Sequence, residues 1–169
     1  MRQRTIVAML VLSVLGMAAC DEEDPTEVIT AAEELEGTWL SKGDDLAPGF
    51  VPLGVDSIIA TFNDDQTYEV FQFALGNTAP AATLTGTYVT GDEAEGEVNG
   101  IILTQLAPNQ LTAEGIYQVT GNGLRYEVVQ TQPDIGAVPP TVAEGFGSTV
   151  VGGSETSAWI QSYDLIDDD

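Results

Sequence analysis

The stretch LTAEGIYQVT-GNG-LRYEVVQT, from Leu111 to Thr131, decides how this chain folds. Leu111, Ala113, Tyr117 and Val119 alternate with Thr112, Glu114 and Gln118. After Gly121-Asn122-Gly123 the same alternation resumes, with Leu124, Tyr126 and Val128 set against Arg125 and Glu127. A period of two with one apolar and one polar face is the mark of an antiparallel strand, buried on one side and wet on the other. Asn and Gly between two such runs are the residues a tight hairpin requires.

The pattern continues outward in both directions. Short runs rich in Thr, Val, Ile, Tyr and Phe predict strands at Thr38–Lys42, Val55–Phe62, Thr67–Ala74, Ala82–Thr90, Glu97–Leu106, Leu111–Thr120, Leu124–Thr131 and Ser157–Tyr163. Asn63-Asp64-Asp65-Gln66 and Ala107-Pro108-Asn109-Gln110 supply further hairpin turns. Ile58, Ala60 and Phe62 share one face, as do Leu84 and Tyr88. Tyr68 and Val70 lie opposite Phe71 and Phe73, so that strand carries apolar bulk on both sides. About eight short, evenly spaced strands predict an all-β antiparallel meander, closed into a barrel or folded as a sandwich. Gly37, Gly86 and Gly115 each precede an aromatic residue by two positions, as expected where a strand bends sharply beneath a covering ring. Before the first strand, Thr30 and Glu33 form a capping pair ahead of a helix of two turns at most, ended by Gly37. A long stretch, Gln132 to Thr156, breaks the pattern with Pro133, Pro139, Pro140 and several glycines; in it Phe146 is a candidate plug for one end of a barrel.

The N-terminus is a separate matter. Arg2 and Arg4 precede the apolar run Ile6 to Leu15, and Ala18-Ala19 stand just before Cys20, the only cysteine. A run of about ten residues is too short to cross a bilayer, which takes roughly 20, but suits a cleaved leader. The segment resembles a bacterial lipoprotein signal peptide, with Met17 where leucine is usual. The resemblance implies removal of residues 1–19 and acylation of Cys20 with palmitate-type chains. The protein would then be extracytoplasmic and anchored to a bacterial membrane. Residues 20–29, beginning Asp-Glu-Glu-Asp-Pro-Thr after the cysteine, read as an acidic tether, and 30–169 as a single domain.

Without its first 19 residues the chain keeps two basic residues, Lys42 and Arg125, against 27 acidic ones, a formal charge of −25. Such a charge repels itself, and salt screens it, which points to a halophilic surface more than to an acidic docking face. Nucleic-acid binding is excluded, because phosphate contacts need clustered Lys and Arg. The chain has no histidine, so Ser-His-Asp and Cys-His catalysis are ruled out, as are the usual zinc and haem ligand sets. The carboxylates fall in turns or on polar faces, and no enzymatic activity, cofactor or metal is expected. The acidic runs at Asp92–Glu97 and Asp167–Asp169 lack the spacing of a calcium loop and read as solvated charge.

The short helical entry, Gly37-Thr38-Trp39 at the first strand and the meander to Tyr163 together resemble the lipocalin-like domains of bacterial lipoproteins, within the calycin group. That resemblance implies a barrel with Trp39 at its base, covered by a basic residue, for which Arg125 is the candidate. It also implies a monomer that binds or carries a small hydrophobic molecule inside. The inward or plug candidates are Phe62, Tyr88, Tyr117, Tyr126 and Phe146. Four of these are bulky inward residues, which keeps open a second reading: a filled barrel acting as a non-catalytic structural or interaction module.

Overall fold

The computed structural model describes residues 30–91 and 97–166. The leader, Cys20, the tether, most of the acidic run from Asp92 and the terminal aspartates lie outside the described residues. The chain enters through α1 (Ala31–Leu35). The strands that follow are β1 (Gly37–Lys42), β2 (Val55–Phe62), β3 (Thr67–Ala74), β4 (Ala82–Thr90), β5 (Asn99–Ala107), β6 (Leu111–Thr120), β7 (Gly123–Gln132), β8 (Ala137–Val138), β9 (Val150–Val151), β10 (Ser154–Glu155) and β11 (Ile160–Leu165). Eight of them close into an antiparallel barrel in the order β1-β11-β7-β6-β5-β4-β3-β2, while β8, β9 and β10 form a small separate sheet. The all-β, up-and-down barrel expected from the alternation is therefore present. So is the short helix, whose Thr30–Glu33 capping box is complete on both sides.

Alternation decides what fills the barrel. Tyr117 stands opposite Tyr126 in the β6–β7 ladder, and Gln161 stands opposite Tyr126 in the β7–β11 ladder. Inward residues Ile58, Ala60, Phe62, Tyr68, Tyr88, Leu103, Tyr117 and Leu124 are buried and form one cluster with Leu35 of the helix. Gly86 fits the sharp bend proposed for it: a Cβ there would lie 2.1 Å from the Thr104 carbonyl oxygen and 2.8 Å from the Tyr68 ring. Phe71 and Phe73 point outward and stay half-buried; Phe71 continues a cross-strand row through Ile59 to Leu40.

One end of the barrel is shut by α1. Trp39 is 1% exposed, and its Nε1–H donates to the Leu35 carbonyl at 2.9 Å. The Tyr117 hydroxyl donates to the Ala31 carbonyl at 2.7 Å, and the Tyr88 hydroxyl to the Asn63 carbonyl at 2.9 Å. Each large ring thus satisfies its own buried polar tip on a backbone acceptor.

The stretch from Gln132 to Thr156 is neither a plug nor a plain surface loop. It carries β8–β10 and lies on the outer wall of β6–β7. Beneath it Ile116 and Glu127 are fully buried and Val129 nearly so, although all three point away from the barrel interior. The Glu127 carboxylate accepts from the Gly147 amide at 2.6 Å and from both the amide and the hydroxyl of Thr149. A buried carboxylate costs little once such donors surround it, and here it fastens the long segment to the wall.

Candidate functional site

The interior toward the other end is not filled. A chamber of about 130 Å³ lies there. Its walls are mainly apolar, with aliphatic side chains such as Ile58, Leu84, Leu103 and Val128. Five aromatic residues, Phe50, Tyr68, Tyr126, Trp159 and Tyr163, also line it, as do three glutamines, Gln72, Gln105 and Gln161. None of its lining residues is charged.

Two segments cross at the mouth. The turn after β1 brings Phe50, and the turn before β11 brings Trp159; the rings meet edge to face with centroids 5.9 Å apart. The Gly49 amide donates to the Ala158 carbonyl at 2.8 Å, joining the two segments by their backbones. Glycine is needed there, since a Cβ at position 49 would lie 2.8 Å from the Trp159 ring. On the inner side Tyr126 meets Tyr163 edge to face at 6.1 Å, and Phe62 backs Tyr68 and Tyr126 at 6.4 and 6.3 Å. Burial pushes the Tyr68 hydroxyl up to about 12 and raises those of Tyr126 and Tyr163 as well. Tyr126 nonetheless keeps some accessible surface, which is surface facing the chamber.

The glutamines differ from one another. Gln105 Nε2 donates to the Asn109 carbonyl at 2.9 Å, so that amide is tied to its own hairpin turn. Gln161 is 3% exposed, and its Nε2 is buried with no hydrogen-bond partner.

Of the residues singled out by sequence, Tyr126 lines the chamber. Phe62, Tyr88 and Tyr117 pack in the core on its closed side. Trp39 stands at the closed end, but Arg125 does not cover it. Arg125 lies on the outer face, opposite Gln118 and Ser162 in its ladders, and its guanidinium sits 4.2 Å from the centre of the Phe146 ring. Phe146 is accordingly no plug and no part of the chamber: the outward register of Arg125 holds it on the outer wall, in a cation–π contact worth about 0.5–2 kcal/mol. Sequence reasoning passed over the three glutamines and Trp159. The signal was available, because Gln72, Gln105 and Gln161 share a face with Tyr68, Leu103 and Tyr163 by simple alternation.

Among the described residues no group of three or more His, Cys, Asp or Glu side chains is placed to hold a metal ion, and no helix is long and apolar enough to cross a membrane. Comparison with protein-family models, curated proteins and solved structures gives no match.

Proposed function

We propose that the protein is a membrane-anchored, extracytoplasmic lipoprotein whose lipocalin-like barrel binds or carries a small, mainly apolar molecule. The observation that carries this reading is the uncharged, largely apolar chamber of about 130 Å³ inside the barrel. Its size limits the guest. A buried apolar cavity of about 150 Å³ accepts benzene, whereas pockets for drug-sized ligands run to about 300–1,000 Å³. A single-ring molecule fits with the mouth as it stands; a fatty acyl chain does not. The leader resemblance and Cys20 support the membrane anchor, and the acidic surface suits a saline medium.

Two measurements test the proposal. Native mass spectrometry and organic extraction of detergent-purified protein should recover a small guest; its consistent absence, with no single-ring compound binding on titration, would sink the carrier reading. The intact mass should carry an acyl increment that disappears in Cys20→Ser, and an unmodified wild-type cysteine would sink the anchor. The tight packing around Trp39, Tyr88 and Tyr117 favours the second reading, a non-catalytic interaction module. On that reading titrations show no guest, while the acidic outer surface retains a basic protein partner.

A further inference from the structure

We infer that the chamber selects a neutral, single-ring-sized molecule bearing one polar group, and that this group pairs with the Gln161 carboxamide. The inference rests on the small-molecule reading above and adds the chemistry of the guest. Buried side-chain amides in folded proteins almost always find partners. Gln161 is 3% exposed, faces the chamber from β11 and leaves Nε2 without one. Its neighbour Gln105 shows the ordinary solution, a backbone carbonyl at 2.9 Å. A purely structural position here would take leucine or methionine, which fill the same space without an orphaned donor.

The unpaired Nε2 presents an N–H donor to an acceptor oxygen. It therefore suits a hydroxyl or a carbonyl on the guest equally well. The rest of the wall is apolar or aromatic and offers a ring the contact it needs. A charged guest is refused, because no lining residue carries a compensating charge and an unpaired buried ion is prohibitively costly.

Titration calorimetry of the full-length protein with phenol, toluene, benzoate and benzylammonium separates the possibilities. Phenol should bind about fivefold or more tighter than toluene, the worth of one net hydrogen bond, and the two ions should not bind. In Gln161→Met the preference for phenol should vanish while toluene binding is kept, which also shows that the variant is folded. Gln110→Met, in the exposed turn before β6 and outside the chamber lining, serves as the control and should keep the preference. If phenol and toluene bind alike in the wild type, or the preference survives in Gln161→Met, the assignment of Gln161 is overturned while the chamber stands as a binding site. If either ion binds as well as phenol, neutrality is overturned. If none of the four binds, the small-molecule reading itself fails.

Discussion

The two ends of the barrel solve the same problem in opposite ways. At the closed end three large rings, those of Trp39, Tyr88 and Tyr117, each donate a hydrogen bond to a backbone carbonyl, and the space between them is filled. At the mouth Phe50 and Trp159 touch edge to face over a chamber where Gln161 keeps an unpaired amide. A similar contrast appears across the wall itself. Ile160 pairs with Glu127 and Gln161 with Tyr126, so Glu127 and Gln161 lie close together on opposite faces of the sheet. Outside, Glu127 is surrounded by donors from the long segment; inside, the Gln161 Nε2 has no acceptor. The satisfied carboxylate fastens the long segment to the wall, and the unpaired Nε2 of Gln161 faces the chamber.

The most severe way to break this contrast is to abolish both ends at once with alkali. All five tyrosines hold their hydroxyl protons above the ordinary value of 10.0. Burial is the main cause in each, and at Tyr88, raised to about 12, the charges of Glu36, Asp65 and Asp64 add to it. The unfolded chain gives up these protons near pH 10 and the folded chain retains them. Stability from this source is therefore intact below pH 10 and is lost as the pH rises through about 12. Phenolate absorbance and circular dichroism, followed together, should change in a single transition above pH 10. Stepwise ionisation with the fold retained would contradict it.

Next in size is Trp39→Ala. It should cost about 3–5 kcal/mol in denaturant unfolding, as expected for removing a buried aromatic core residue. An equal cost from Trp159→Ala, at the half-buried mouth, would erase the distinction between the ends. Glu127→Ala should cost about 2–3 kcal/mol, since it strands buried donors of Gly147 and Thr149. Its loss should be read first as faster proteolysis within 133–159 while the barrel persists; cleavage unchanged from wild type would show that the carboxylate does not fasten the segment. The smallest effect has the opposite sign. Gln161→Met should stabilise the ligand-free protein by about 1 kcal/mol, a rise of a few degrees in Tm, because it removes an unpaired buried amide. A fall in Tm would show that the amide already has a structural partner.

Much of the closed end could be read from the chain alone. Alternation from Leu111 to Val128, broken only by Ile116 on the polar face and by glycine and asparagine at the turn, fixes inward and outward faces locally, and β2, β3, β4 and β6 begin and end where that pattern places them. The Thr30–Glu33 cap is equally local. The mouth was harder to read because its parts meet from distant positions: Phe50 and Trp159 are more than a hundred residues apart, and the strand expected at Ser157–Tyr163 begins only at Ile160, leaving Trp159 in the turn before it. A glutamine on an inward face looks like an error of register until the chamber beside it is known. Phe146 misled for a related reason. A phenylalanine among glycines invites burial, but which surface receives it depends on where Arg125 points, and that follows from barrel closure rather than from any nearby residue.

The β1–β11 seam has a consequence in time. It pairs Trp39 with Leu165 and Leu40 with Asp164, joining strands from opposite ends of the barrel sequence. Contacts of such long range form late in folding. β11 brings Gln161 and Tyr163 with it, and Trp159 stands immediately before it. A chain still being synthesised has Trp39 and the early strands, but no chamber and no mouth. The chamber therefore arrives with the closing strand, and no enclosed interior exists before the barrel around it is finished.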